Sequence, residues 1–302
     1  MKIVVDSGGE YKDMINSYYD LERYNDDSEE CVLFLGYKTS NDEQLKKKFA
    51  HIPKRIYINL EAPCSFTGTK TAVSSQNYFT HVYTICPYTA EWLKDKSDTK
   101  YIPIPFPFNA DSFKHLDYSI DKEYDVMYMG TIMDNAHKNM LFTMKKHKYI
   151  LTSLFQYPGV THVNINSAKK WELLSKSKAS IAMNVAPIAG QHKNFIKQYN
   201  KWDENEAFKH LDVNYIPQFK PRVIESMMCK TLVLVKKDPW NVIEKWFEPD
   251  KHFIYWDNLQ ELNTLLEHIK HNLDTYQDIV DAAYSKVQEY EIHYLYKNLI
   301  HD

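Results

Sequence analysis

Glycine is scarce in this chain, with seven in 302 residues. A chain that uses it so sparingly keeps it where the backbone takes a shape other residues resist, or where a neighbour leaves no room for a Cβ. Gly8 and Gly9 follow the apolar run "KIVVD", and Gly130 follows "YDVMYM". Neither loop has the G-x-G-x-x-G or Walker spacing, so nicotinamide and P-loop chemistry lose their usual markers. Cysteine is rarer still. Cys31, Cys64, Cys86 and Cys229 form no C-x-x-C pair and no zinc spacing with the histidines, and they read as small core hydrophobes of a reducing compartment. H-E-x-x-H and Asp-x-Asp are both absent. The first absence removes a zinc hydrolase signature, and the second removes a carboxylate pair that would hold a divalent ion on a diphosphate. No structural metal is expected.

A surplus of positive charge is also missing, since 37 Lys and Arg face 40 Asp and Glu for a net charge of −3. Affinity built on neutralising many phosphates needs the opposite balance, so nucleic acid is not an expected partner. The lysine runs at 46–48 and 145–146 then read as solvated helix faces. No uncharged apolar run approaches the roughly 18 residues that cross a bilayer. The opening "MKIVVDSGGE" meets an aspartate too early for the apolar region of a signal peptide. The expectation is a cytoplasmic protein without a transmembrane segment.

With 44 % hydrophobic residues in 302, the chain has core material for more than one domain of roughly 100–200 residues. Apolar runs at 2–6, 31–36, 55–60, 81–86 and 100–105 have the length and β-branching of buried strands. Helical patterns lie between them, from Asn41 and from Thr89, the latter read as a cap. After a proline-containing linker at 105–123 the alternation restarts with strands at 124–130, 161–166, 180–185, 231–235 and 252–256. A helix is expected over about 137–148, and Asp257 or Asn258 caps another whose Leu259, Leu262, Leu266 and Ile269 keep the helical period. Val280, Ala283, Tyr284, Val287 and Tyr294 place one last helix on a single apolar stripe. Strand–helix alternation twice over predicts an α/β protein of two Rossmann-like domains facing a cleft. The expected division is 1–118, 119–285 and a C-terminal helix over 286–302 that packs back on the first domain. Residues 187–218 are too long for an ordinary connection and suggest a lid or an acceptor loop.

Ligands of open α/β sheets bind beyond the carboxyl ends of the strands, which puts the glycine loops on the ligand side. The segment "FKPRVIESMMCKTLVLVKKDPW" (219–240) adds Arg222 and Glu225, three apart and therefore on one helical face. They form either a surface ion pair or a pair that handles a charged, hydroxyl-bearing ligand. "YDVMYMGTIMDNAHKN", "KWELLSKSKASIAMNV" and the segment from Phe219 to about residue 275 together resemble the donor-binding half of group 1 glycosyltransferases with the GT-B fold, over roughly residues 119–275. The resemblance implies a glycosyltransferase that moves a sugar from a nucleotide-diphosphate sugar to a glycan or other hydroxyl acceptor.

By that resemblance Glu225 stands where the family's glutamate binds the ribose. Arg222 or Lys220 would meet the diphosphate, the N–H groups of Gly130 and Thr131 with Lys138 would complete the phosphate cradle, and His137 would touch the donor. The Glu-x7-Glu pattern of retaining members is broken, because Pro217 occupies the first position. Cationic side chains and helix N-termini then replace a metal, so the donor is a co-substrate and no cofactor is required. A base is needed on the acceptor side, and Glu61, just past the run at 55–60, is the first candidate, with Asp6 second. A nucleotide-sugar epimerase on the same scaffold and a catalytically silent nucleotide-sugar-binding protein are the alternatives.

Overall fold

Short β-branched runs separated by capped helices build two parallel sheets in the computed structural model, which describes residues 1–5, 21–26, 29–36, 42–59, 78–94, 98–132, 134–187 and 215–301. The chain divides into two compact units. Unit 1 comprises Met1–Phe108, Val185–Phe219 and Ile292–Asp302, and unit 2 comprises Asn109–Asn184 and Lys220–Glu291. The sequence-based division falls at 118/119 and 285/286, and it does not contain the transfer of Val185–Phe219 to unit 1.

Unit 1 holds β1 (Lys2–Val5), β2 (Cys31–Leu35), β3 (Lys54–Asn59), β4 (His81–Thr84) and β5 (Lys100–Pro103). They lie side by side in chain order and every pair is parallel. All five strands therefore release the chain at the same edge. Phe34, Tyr57 and Phe79 fill the centre, with Phe79 5.3 Å from Phe34 and 5.4 Å from Tyr57.

Of its helices, α1 spans Leu21–Tyr24, α2 Glu43–Lys48 and α3 Pro87–Leu93. Asp42 caps α2 by accepting the N–H groups of Gln44 and Leu45. α3 starts two residues before Thr89, with Cys86 at the cap and Pro87 in the first turn, because proline's missing N–H costs nothing there. Val185–Pro187 (β10) and Tyr215–Pro217 (β11) pair antiparallel, and they bracket the expected lid, whose residues 188–214 lie outside the described residues.

Unit 2 holds β6 (Tyr124–Met129), β7 (Tyr149–Ser153), β8 (His162–Val163), β9 (Ser177–Ala182), β12 (Leu232–Lys236) and β13 (Ile254–Trp256) in the order β13-β12-β9-β6-β7-β8. Its helices are α4 (Asn135–Met144), α5 (Ser167–Ser175), α6 (Pro221–Met228), α7 (Leu259–His271) and α8 (Gln277–Val287). The chain winds outward from β6 through β7 to β8, then returns to β9 on the other side of β6. That reversal is a topological switch point, where diverging connections open a crevice at the carboxyl ends of β6 and β9.

β7 has no counterpart in the sequence reading, since "YILTS" follows α4 without a glycine or proline to mark the change of element. The strand expected at 161–166 shrinks to β8. In the expected linker, Phe113 stacks on Trp171 at 4.2 Å. Asn258 caps α7 through the Glu261 N–H, and Leu262, Leu266 and Ile269 are buried while Leu259 turns outward. The single last helix is two, α8 and α9 (Ile292–His301), divided by a short 3-10 turn at Gln288–Tyr290. α9 belongs to unit 1, where the Ile292 N–H bonds the Phe108 carbonyl and Tyr296 packs on Tyr24 at 4.1 Å. Tyr294 is exposed and lies off the stripe.

Candidate functional site

Gly130 leaves β6 at the switch point with φ +142°, a conformation that L side chains rarely adopt. A Cβ there would sit 2.6 Å from Nη2 and 3.1 Å from Cζ of Arg222. The guanidinium therefore lies flat against a residue chosen for having no side chain, and it also covers the Tyr128 ring at 4.8 Å. The Gly130 N–H is already spent on the Thr152 carbonyl at 2.9 Å. This corrects the expectation that it faces a phosphate, because the sheet continues one residue past the strand. Thr131 follows it, half-buried.

Across the Tyr128 ring from β6 stands His137, with its ring centroid 5.9 Å away. Asp134 caps α4 by accepting the His137 N–H at 2.9 Å and holds the same residue's Nδ1 at 2.8 Å. Burial lowers the imidazole's proton affinity. Asp134 opposes that, and the nearby charges of Arg222 and Lys220 add to it. Lys138, one residue on, is exposed.

α6 begins beside this group. Pro221 occupies its first turn and Lys220 its cap position, with no side chain closing the helix end. The open N–H groups and the helix dipole make that end attractive to an anion. Burial and the adjacent Arg222 push the Lys220 ammonium down to about 7. Asn184, just past β9, accepts the Lys220 N–H at its Oδ1 (3.1 Å). Its Nδ2 is fully buried and has no hydrogen-bond partner among the described residues. Oδ1 accepts from a backbone donor, which leaves Nδ2 as the end without a partner among the described residues. Unsatisfied buried donors are uncommon in proteins and call for a reason. The helix is fastened to the sheet by Ser180, whose hydroxyl donates to Ser226 Oγ at 2.7 Å, while the Ser226 hydroxyl donates within the helix to the Arg222 carbonyl at 2.6 Å.

Glu225 is one turn further along α6 and 2 % exposed. Trp171 Nε1–H donates to its Oε1 at 2.9 Å, and Lys170 forms an ion pair with the same oxygen. The two charged residues of α6 thus diverge, Arg222 to the β6 loop and Glu225 to α5. Tyr128, Asp134, Lys170, Trp171 and Asn184 join the site without having been singled out in the sequence. Asn184 carried a signal there, an amide closing the otherwise apolar strand "SIAMNV". Glu61 and Asp6 lie outside the described residues. Among the described residues no group of three or more His, Cys, Asp and Glu is arranged to hold a metal.

The sequence profile of a family described as glycosyl transferase-like matches residues 156–300. No curated protein matches the chain in sequence. Among solved structures, HepE of Anabaena in complex with UDP and glucose is similar, with a TM-score of 0.63 at 10 % identity, covering 99 % of this chain and 98 % of that one. A glycosyltransferase of Rickettsia africae is similar at a TM-score of 0.55 and 11 % identity, covering 100 % and 98 %. TarM is similar at 0.56 and 12 % identity over 94 % of this chain, which spans 57 % of TarM's length. At such identities the structural likeness speaks for the fold alone. The family match covers β8 to α9, including the Arg222–Glu225 helix, and the fold match covers both sheets. Residues 156–300 thus match the glycosyl transferase-like family, and the whole chain has the two-sheet GT-B fold of these glycosyltransferases.

Proposed function

We propose that the protein transfers a sugar from a nucleoside-diphosphate donor, held at the carboxyl edge of the unit 2 sheet, to a hydroxyl acceptor, and that it needs no metal to do so. The observation that carries this reading is the cationic group at the open end of α6. Lys220 and Arg222 stand there beside the unused amide of Asn184, at the switch point. In the reaction the bond between the anomeric carbon and the β-phosphate oxygen breaks, and negative charge grows on that oxygen. Fixed cations and N–H groups aimed at developing charge lower the barrier without reorganising. Lys220, Arg222 and the α6 end fill this role, and Asn184 supplies two more donors.

His137, Thr131 and Lys138 are assigned to the rim of the same pocket. Glu225 is assigned to the ribose hydroxyls, for which Lys170 must release the carboxylate oxygen it now holds. The acceptor hydroxyl forms the new bond to the anomeric carbon and gives its proton to a base. Glu61 is assigned that role and Asp6 is the second choice, since both follow strands of unit 1 that end at one edge. Because HepE has been solved with UDP and with UDP-glucose, a uridine diphosphate sugar is the donor to test first.

The test is a thermal-shift panel of UDP, GDP, ADP, CMP and dTDP with a chelator present. A ligand at about 100 times its dissociation constant adds roughly 2.7 kcal/mol of stability. A shift with one nucleotide that is lost in Glu225→Ala supports the donor site, and the matching donor then goes into a transfer assay. No shift with any nucleotide overturns the reading. Donor conversion without nucleotide release favours the epimerase instead.

A further inference from the structure

The segment between Asp134 and Glu172 contains six lysines and no Asp or Glu, in a chain whose net charge is −3. Lys169 and Lys170 pair with Glu172 and Glu225, whereas Lys138, Lys145, Lys146 and Lys148 are exposed and make no ion pair among the described residues. The same segment carries exposed apolar side chains. Phe142 on α4 is 65 % exposed, and Leu154 and Phe155 in the loop after β7 are 57 % and 59 % exposed. Val163 on the edge strand β8 is exposed as well.

Lys145 joins the helix face to the loop after β7. Lys138, Phe142 and Lys145 recur at helical spacing on one face of α4. Lys145 lies over the Phe142 ring at 5.6 Å, and its Cε would be 2.8 Å from a Cβ on Gly159, which ends the loop that presents Leu154 and Phe155. That loop is braced, since Ser153 Oγ accepts the Phe155 N–H at 3.2 Å and the Tyr149 hydroxyl donates to the Gly159 carbonyl at 3.0 Å. The acids at this border are Asp125, buried and committed to the Lys148 N–H at 3.0 Å and to Lys178, and Glu267 on α7, 3.6 Å from the buried His147.

We infer that this face of unit 2, formed by α4, the β7–β8 loop and the sheet edge, docks onto an anionic lipid bilayer. Unpaired lysines beside protruding apolar tips meet an anionic headgroup layer and the acyl boundary beneath it at the same time. A polyanion in water would use the lysines and leave the apolar side chains idle. An exposed cluster of this kind needs an occupant, and the complementary charge selects an anionic surface.

The full-length protein is sedimented with neutral phosphatidylcholine vesicles and with vesicles in which about a third of the lipid is phosphatidylglycerol. Binding to the anionic vesicles alone is expected. Each lysine near such a surface is worth about fivefold in partition, so Lys145→Glu/Lys146→Glu should weaken it by at least roughly 30-fold. Phe142→Ser/Phe155→Ser should lower the binding that persists at raised salt. All four positions are exposed, and unchanged melting temperatures confirm that both variants fold. Equal sedimentation with both vesicle types, or none with either, overturns the inference. Retention on heparin that matches the anionic vesicles and ignores the phenylalanines overturns it in favour of a soluble polyanion.

Discussion

Gly130 and Arg222 are the sharpest contact in the site, and they make a prediction with two readouts. Gly130→Ala forces a side chain into the +142° conformation and against the guanidinium. A cost of about 1–3 kcal/mol is expected, seen as a lower melting temperature. Weaker nucleotide binding should accompany it, because Arg222 must move. Lys220 gives a pH dependence. Its ammonium sits at about 7 in the folded chain against an ordinary 10.5. Between those values the unfolded chain holds a proton the fold has released, so this residue's contribution to stability rises with pH through that window. Nucleotide binding runs the other way, since a diphosphate favours the charged lysine. UDP affinity is expected to be flat below pH 7 and to fall as pH rises above it, by up to about tenfold per unit. Titration calorimetry from neutral to alkaline pH checks this, and Lys220→Arg should flatten the profile because arginine does not titrate there.

Among the elements, α5 and α6 are coupled at Glu225, which accepts the Trp171 indole N–H and pairs with Lys170. Trp171→Phe keeps most of the ring's volume, including its stacking on Phe113, and removes the donor. The buried carboxylate then loses a donor, and a loss of about 1–3 kcal/mol is expected by denaturant unfolding. Lys170→Met should also destabilise, while Glu225→Gln at the same site should lose nucleotide affinity more than stability if the carboxylate binds ribose.

Legibility of the elements followed the same physics. Strands bounded by turn residues, such as "CVLFLG" and "YDVMYMG", were readable because their burial shows as unbroken apolar runs. β7 was not, since only Lys145–Lys148 separate it from α4 and no glycine or proline marks the change. α6 was found through its charge spacing, but which way each charge points depends on Gly130 and Trp171, more than 50 residues away in each case. Asn184 shows the same limit. A buried amide is visible as a letter in a strand, and only the helix that reaches it reveals that half of it is unused.

At the scale of the whole molecule, the chain passes between the two units at Phe108–Asn109, Asn184–Val185, Phe219–Lys220 and Glu291–Ile292. A contiguous fragment from 109 to 291 therefore carries Val185–Phe219, a piece whose packing partners it has left behind. The ends flanking that piece are close, because Asn184 Oδ1 meets the Lys220 N–H at 3.1 Å. A few flexible residues span such a gap, and closing a short loop costs little. Residues 109–184 and 220–291 joined by a short glycine–serine bridge should fold as a free-standing module. It should bind UDP in a thermal-shift assay and transfer nothing. The chain is shared between the two units, yet the hydrogen bond at Asn184 marks the seam along which unit 2 can be unpicked and sewn shut.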